Sequence, residues 1–406
     1  MMIDTKMALR QKTDTCVKCG LCLPHCPTYT HTENENESPR GRIALIQAWT
    51  NHQLPITPKL IKHIDSCLQC RACEKVCPAV VPYGKLIDEF KAEIHKDNPS
   101  PFAVQLLKKL ATHKKWRQRL HKGLAIYQRD TLHPIVRWAK LPQLMGLGEL
   151  DRLLPRHKAI TPLAHFYPAF GDLKGDVGLF VGCMSELFDS DTLLDTIHVL
   201  THIGYNVHLP SLQTCCGALA LHDGEVEDAQ KLAMQNIKAF ETDNLHAIIT
   251  IASGCGSTLQ EYHQTSFANK VVDISHFLAQ HTVDKSLALQ PLIANVLIHS
   301  PCTLKNVMKT EKSVIKLLKQ IPALTVTHLP DASQCCGSAG SYSLRHEKMA
   351  KTLLHDLLDT ALTSPIDYLV SSNIGCALHL AAGLQERGQT IKVVHPITLL
   401  AKQLKG

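Results

Sequence analysis

Short apolar runs of strand length alternate with amphipathic segments of helical length from Asp176 onward. This order is typical of βα units around a mostly parallel sheet. The predicted helices include Glu225–Phe240 and Arg345–Leu358. Eight strands are predicted, at Val177–Val181, Asn206–Leu209, Ala247–Ile251, Lys270–Val272, Asn295–Ile298, Thr325–His328, Tyr368–Val370 and Lys392–Val394.

The second half of this region repeats the first. The spacing between matching cysteines is 119 residues from Cys183 to Cys302 and 121 from Cys255 to Cys376. Two homologous α/β domains are therefore predicted, over residues 174–290 and 291–406, which is an ordinary domain size.

The residues before the repeats have a different pattern. Residues 1–98 alternate loops with short helices such as Ile43–His52 and Tyr83–His95, and residues 99–173 predict a helical connector. Proline lacks a backbone N–H and interrupts helices, so the connector helices should break at Pro134, Pro142, Pro155 and Pro162.

The net charge of +7 in these 406 residues is concentrated in the connector. Between Asn98 and Gly148 only Asp130 is acidic, against Lys108, Lys109, Lys114, Lys115, Arg117, Arg119, Lys122, Arg129, Arg137 and Lys140. Such a stretch can hold an anionic membrane face or an acidic partner, or it can be a solvated helix surface. Nothing in the sequence points to nucleic acid.

No apolar run approaches the roughly 20 residues that cross a bilayer. The segment Met1–Asp14 is polar and lacks the apolar core of a signal peptide. A cytoplasmic protein is predicted, which can lie peripherally on the inner face of the cell membrane. Sixteen cysteines in that compartment indicate metal binding rather than disulfides.

Eight cysteines in the first zone form two copies of C-x2-C-x2-C-x3-C-P. In two-cluster ferredoxins the fourth cysteine of each run binds the other cluster. We therefore assign one 4Fe-4S cluster to Cys16, Cys19, Cys22 and Cys77, and the other to Cys67, Cys70, Cys73 and Cys26. Zinc is the competing interpretation, but it wants four tetrahedral ligands and fits the extra C-x2 step poorly.

Each α/β repeat carries four cysteines in one order, with a Cys-Cys-Gly motif in the middle; we call the repeats the first and second CCG units. Ligands of parallel α/β sheets gather at the carboxyl ends of strands, where these thiols can converge. The candidate metal or cluster ligands are Cys183, Cys215, Cys216 and Cys255, then Cys302, Cys335, Cys336 and Cys376. Buried free cysteines are the alternative, and the choice between zinc, a cubane and another cluster stays open.

Several catalytic signatures do not occur. The sequence has no G-x-G-x-x-G after a strand, no P-loop, no G-x-S-x-G and no H-E-x-x-H. No catalytic residue is assigned for this reason. Hydride chemistry would need a flavin or nicotinamide from another chain.

The sequence resembles the iron-sulfur subunits of bacterial glycolate oxidase over nearly its full length. The resemblance is carried by Cys16–Tyr29, Ser38–Ile43, Cys67–Pro78, Pro82–Gly84 and both CCG units. Small subunits of anaerobic glycerol-3-phosphate dehydrogenase and heterodisulfide reductases share the motifs, and the Pro39-Arg40-Gly41-Arg42 run favours the glycolate branch. Heterodisulfide reductases end the CCG motif in C-x2-C, whereas Thr258 and His379 stand at that position here.

The resemblance implies an α+β multidomain fold, with an α-helical ferredoxin-like domain, a helical connector and two CCG domains. It implies the non-flavin subunit of a glycolate dehydrogenase complex, which acts on CH–OH with an acceptor other than NAD or oxygen. Flavin-binding subunits holding FAD would oxidise glycolate or D-lactate, and electrons would pass to a quinone or another membrane acceptor. The alternatives are a CCG-type disulfide reductase or the small subunit of another flavoprotein dehydrogenase.

Overall fold

A computed structural model describes residues 5–95, 100–128, 132–159, 161–241, 244–281, 288–330 and 335–404, without the side chains of residues 132 and 133. The fold is α+β, as predicted. Two charged residues of the predicted basic stretch, Arg129 and the single acidic residue Asp130, lie outside the described residues.

The N-terminal zone is helical around one small core. Its helices are α1 Thr5–Asp14, α2 Pro27–Thr32, α3 Pro39–Thr50, α4 Pro58–Asp65, α5 Ala72–Lys75 and α6 Tyr83–Ile94. Ser38 and Thr57 cap α3 and α4 by accepting backbone N–H groups of Gly41 and Leu60, and a proline follows each cap. The core beneath contains Ile46, Leu86 and Phe90.

The connector consists of α7 Phe102–Thr112, α8 Lys114–Tyr127, α9 Leu132–Trp138, α10 Leu141–Leu144 and α11 Gly148–Leu153. The connector helices are interrupted close to Pro134, Pro142 and Pro155, as predicted: α9 and α10 begin within two residues before Pro134 and Pro142, and α11 ends before Pro155. Pro134 and Pro142 lie in the first turn of a helix, where proline costs no intrahelical hydrogen bond. Among the described residues, no helix has the length and apolar character that crossing a membrane requires.

The first CCG unit has the sheet order β1-β3-β2-β4-β5, with β1 antiparallel and the others parallel. Its elements are β1 Phe166–Tyr167, β2 Gly175–Phe180, α12 Cys183–Phe188, α13 Ser190–His202, β3 Tyr205–His208, α14 Ala218–His222, α15 Val226–Phe240, β4 Ala247–Thr250, α16 Ser253–Gln260, α17 Thr265–Ala268, β5 Val271–Asp273 and α18 Ile274–His281.

The second unit has the parallel order β7-β6-β8-β9, which matches β3-β2-β4-β5 of the first. Its elements are β6 Ala294–His299, α19 Glu311–Leu318, β7 Leu324–His328, α20 Tyr342–Arg345, α21 Glu347–Ala361, β8 Tyr368–Ser371, α22 Ile374–Glu386, β9 Lys392–Val394 and α23 Pro396–Gln403. All eight predicted strands are confirmed, and β1 is an additional one.

The two CCG units share one hydrophobic core. Val177 and Ile249 of the first sheet belong to the same buried cluster as Val296 and Val370 of the second. The carboxyl edges also meet, because Ser253 N donates to Ser372 O at 2.9 Å and Gly254 N donates to Asn373 Oδ1 at 3.2 Å. Both sets of CCG cysteines are thereby brought to one region of the molecule.

Candidate functional site

The two ferredoxin-type loops have the same backbone shape. Lys18 and Gly20 have φ values of 56° and 84°, and Gln69 and Arg71 at the matching positions have 50° and 58°. Left-handed residues between cysteines curl the chain, so that successive thiols can turn toward a common centre. The non-glycine residues at these positions indicate a conformation maintained by its surroundings.

The eight thiols of these loops surround two neighbouring cavities. One cavity is lined by Cys16, Cys19, Cys22 and Cys77, with Cys73 at its edge. The other is lined by Cys26, Cys67, Cys70 and Cys73. Each cavity thus receives a fourth thiol from the other loop, and thiolates are the ligands of iron-sulfur clusters.

A buried ionic group lies against the second of these cavities. The Arg42 side chain is 1% exposed and donates to His63 O at 2.7 Å and Glu37 Oε2 at 2.8 Å. Burial opposes its charge, yet nearby Tyr83, Cys67, Cys26 and Glu37 raise the pKa of Arg42 above its ordinary value. The guanidinium therefore places a permanent positive charge near the second set of thiols.

Arg40 has a different environment beside the first cavity. Its guanidinium donates to both carboxylate oxygens of Glu35, at 2.8 and 3.1 Å, and to Lys18 O at 3.2 Å. Both arginines of the Pro-Arg-Gly-Arg run thus make ion pairs within the fold.

The CCG thiols lie after the strands, where the repeat predicted them. Cys183 begins α12 after β2, and Cys255 lies in the first turn of α16 after β4. Cys302 and Cys376 follow β6 and β8 in the same way. Gly337, after the paired cysteines, has φ 77°, and a Cβ there would lie 2.3 Å from Ala350 O. The motif requires glycine because α21 packs directly against it.

The first CCG unit favours one thiolate. Cys183 Sγ donates to Cys215 Sγ at 3.6 Å. This hydrogen bond and a second one from Cys216 lower the pKa of Cys215 well below its ordinary value, and nearby Arg117 adds to the shift. Side chains also hold the backbone carbonyls of the adjacent Cys215 and Cys216. Asn236 donates to Cys215 O at 2.9 Å, and Tyr262 donates to Cys216 O at 2.8 Å.

In the second unit Cys336 and Cys376 are buried, and Cys302 and Cys335 are partly buried. Burial raises the pKa of Cys302 to about 12, and a hydrogen bond with Cys376 followed by burial raises that of Cys336. Thiols of this kind lose their protons when a metal binds. His379 Nδ1 lies 2.6 Å from Cys336 O. In the first unit the equivalent carbonyl, Cys216 O, accepts a hydrogen bond from Tyr262.

The second ferredoxin-type loop packs on the second CCG unit. Asn306 Nδ2 donates to Cys70 O at 2.8 Å. Burial followed by the charges of Cys302 and Cys335 raises the pKa of the Cys70 thiol, so these three thiols are neighbours. The second ferredoxin-type loop therefore brings Cys70 next to thiols of the second CCG unit.

A central cavity of about 480 Å³ joins these sites. It is lined by all eight CCG cysteines and by Cys70. The opposite wall is apolar and comes from the connector, with Leu106, Leu107, Leu110, Leu120, Leu124, Val136, Leu141, Met145, Leu147, Leu150, Leu153 and Leu154. The sequence did not predict this wall, although leucines at helical spacing along the connector were a signal for it.

The basic connector is only partly a free surface. Lys108 is buried beside Asp223, and Arg117 is buried with its guanidinium on Glu186 at 2.7 Å. Lys109, Lys114, Lys115, Arg119, Lys122, Arg137 and Lys140 are exposed. Large apolar side chains are exposed beside them, and we call Ile135, Trp138, Leu141, Leu144 and Met145 the connector patch.

Two protein families and several related proteins match this chain. Residues 12–81 match the 4Fe-4S dicluster domain family, and residues 177–260 and 296–381 match the Cysteine-rich domain family called CCG. The chain is 32% identical over 413 residues to the "Probable glycolate oxidase iron-sulfur subunit" of Bacillus subtilis (strain 168), covering 95% of this chain and 92% of that protein.

Two further relatives have different coverage. The chain is 31% identical over 385 residues to the "Glycolate oxidase iron-sulfur subunit" of Escherichia coli (strain K12), covering 90% of this chain and 89% of that protein. It is 25% identical over 241 residues to "Lactate utilization protein A 2" of Bacillus cereus (strain Q1), covering 56% of this chain and 98% of that protein.

Proposed function

This chain belongs to the family of glycolate oxidase iron-sulfur subunits, and from that premise we propose that it relays electrons from a flavoprotein partner to a membrane quinone. The partner holds FAD and oxidises glycolate or D-lactate. The observation that carries the proposal is the series of thiols from exposed Cys19 to the central cavity. The chain itself acts in the cytoplasm, on the inner face of the membrane.

The proposed ligands of the two 4Fe-4S clusters are the thiols around the two N-terminal cavities. Cys16, Cys19, Cys22 and Cys77 hold the first cluster, and Cys67, Cys70, Cys73 and Cys26 hold the second. Such clusters exchange single electrons, whereas a hydroxyacid gives up two electrons together with its protons, so the flavin must mediate between them.

The flavoprotein partner docks at the first loop. Val17 and Leu21 are 69% and 56% exposed around the exposed Cys19. Val80, which is 78% exposed, stands between Ala79 and Val81, and both of these line the same cavity as Val17 and Leu21. Apolar groups clustered on a surface favour a protein contact. A contact here would bring the flavin of the partner near the outermost thiols.

The acceptor binds in the central cavity. Its connector wall is apolar, which suits a quinone ring with an isoprenoid tail, and its other wall presents the CCG thiols. Leu141 and Met145 of the connector patch also line the cavity. A lipid-soluble acceptor could therefore pass from a membrane under the patch into the cavity.

The test separates flavin reduction from acceptor reduction in the complex assembled with its flavoprotein subunits. With Cys67→Ser or Cys26→Ser, glycolate should still bleach the flavin in stopped-flow measurements, while quinone reduction falls to background. Thr30→Ala, an exposed position beside Cys26, is the control and should leave both steps unchanged. Glycolate oxidation by this chain alone, or unchanged quinone reduction by the cysteine variants, would refute the relay.

A further inference from the structure

One buried residue distinguishes the second CCG unit from the first. His299 ends β6 three residues before Cys302, and Phe180 ends β2 three residues before Cys183. Both side chains are fully buried, at 1% exposure. Each unit has four cysteines at matching positions. The second unit therefore differs by placing an imidazole where the first has a phenyl ring.

This imidazole converges with two of the thiols. One ring nitrogen of His299 and the Sγ atoms of Cys336 and Cys376 all lie within 4.8 Å of one another. Two thiolates bound at about 2.3 Å to the same zinc ion cannot be more than about 4.6 Å apart. Cys336 Sγ and Cys376 Sγ are 2.7 Å apart. The three groups are thus close enough to reach one ion, and binding it would separate the two sulfurs to the roughly 3.8 Å of a tetrahedral pair.

The candidate ligands are also oriented by neighbouring groups. His299 Nδ1 lies 3.1 Å from Ser371 Oγ, directly across the β6–β8 ladder. Asn373 Nδ2 donates to Cys376 Sγ at 3.4 Å, and His379 fixes the Cys336 carbonyl. Hydrogen bonds of this kind hold metal-binding side chains in position in known metal sites. All three ligands are at most 5% exposed.

We infer that the second CCG unit holds a single zinc ion through His299, Cys336 and Cys376, and that the first unit, with Phe180, has no equivalent site. Imidazole with thiolate is a donor set that zinc prefers. Three protein ligands leave one position of a tetrahedral ion, which can be filled from the cavity that Cys336 and Cys376 line. The inference depends on metal binding alone, so failure of the electron relay would leave it standing.

The test measures zinc and iron in the full chain, purified anaerobically and passed over a chelating resin. Wild type should retain one zinc per chain, and His299→Phe, the residue of the first unit, should lower zinc at least about tenfold. Cys376→Ser should do the same. Cys255→Ser, the identical change at the repeat-related position of the first unit, should leave zinc unchanged, and iron content reports on the N-terminal domain.

X-ray absorption at the zinc edge of the wild-type chain gives a second readout that needs no variant. We expect a mixed shell of sulfur with imidazole nitrogen. Full zinc retention by His299→Phe, a shell without imidazole scattering, or wild-type protein that holds only iron would each overturn the inference.

Discussion

Asp273 carries its carboxyl group into the core of the first CCG unit. The residue is 0% exposed, and its Oδ1 caps α18 by accepting the Ser275 N–H at 2.9 Å. Oδ2 has no hydrogen-bond partner among the described residues. Burial, only partly opposed by the backbone hydrogen bonds, raises the pKa of Asp273 to about 6.

Asp273→Asn should stabilise the protein at pH 8 more than at pH 4. Because the pKa is raised in the folded state, the unfolded chain ionises first, and stability falls between about pH 4 and pH 6. Above pH 6 the cost is constant and of order 3 kcal/mol at most. Asparagine keeps the helix cap without the charge. Thermal unfolding of both proteins at the two pH values tests this.

The control is Asp228→Asn, which changes an exposed carboxylate of the same unit. It should shift the unfolding temperature little and equally at both pH values. If Asp273→Asn destabilised the protein at pH 8, the charged carboxylate would stabilise the folded state, contrary to this prediction.

At the scale of elements, α9 and α10 expose several large apolar side chains close together in the sequence. Trp138 and Leu144 are 86% and 80% exposed, with Arg137 directly before Trp138 and Lys140 two residues after it. Apolar side chains flanked by basic ones are typical of helices that lie on an anionic bilayer. The same segment reaches the wall of the central cavity through Leu141 and Met145.

Replacing Trp138 and Leu144 together by aspartate should weaken binding to vesicles containing phosphatidylglycerol more than tenfold. Two large apolar groups lose their burial, and two like charges face the lipid. Vesicle co-sedimentation measures the change. Wild-type binding should also weaken with salt, since the Debye length falls from about 10 Å at 0.1 M to about 3 Å at 1 M.

Phe170→Asp is the matched control, because Phe170 is 75% exposed but follows β1 and is not part of the connector patch. It should bind vesicles like wild type. Equal loss in both proteins, or binding that is indifferent to salt, would argue against a membrane surface here.

The sequence predicted most of the strands but not all of the candidate site. Alternating apolar runs and the cysteine offsets predicted all eight parallel strands, because a repeat supplies two independent readings of each. Two-residue β1 has too little pattern to be predicted. His299 was missed since one histidine among 24 carries no spacing signal, and its partners come together only in the folded chain.

At the scale of the whole molecule, a buried charge group joins three parts of the chain. Asp223 of the first CCG unit is 3% exposed, and its Oδ2 lies 3.3 Å from Lys108 Nζ of the connector and 3.2 Å from Arg345 Nη2 of the second unit. Ser341 Oγ donates to Oδ1 at 2.8 Å. Burial alone would raise the pKa of Asp223, but Arg345, Ser341 and Lys108 lower it overall.

Asp223→Asn should destabilise the protein by about 3 kcal/mol, because the partly buried Arg345 loses this carboxylate and the buried Lys108 loses one of its two, retaining Glu225. Since the folded pKa is depressed, the stabilisation is present above the ordinary value of 3.8 and is lost as the pH falls through the folded pKa. Denaturant unfolding at pH 7 measures the cost.

Asp191→Asn removes a carboxylate that pairs with Lys158 at 2.7 Å on the surface, where both side chains are more than half exposed. This control should cost less than about 1 kcal/mol. Equal effects of the two substitutions would mean that Asp223 does not couple the three parts.

The outward position of the first ferredoxin-type loop bears on damage by air. Cys19 is exposed, whereas Cys26, Cys67 and Cys73 around the second cavity are buried. Because oxidants reach exposed thiolates first, we expect oxygen to attack the outer loop before the inner one. Under the proposed relay, a partly oxidised molecule would then stop receiving electrons at its outer end while the thiols of its interior are still intact. Damage by air would thus shut the chain off where electrons enter it, before the inner thiols are reached.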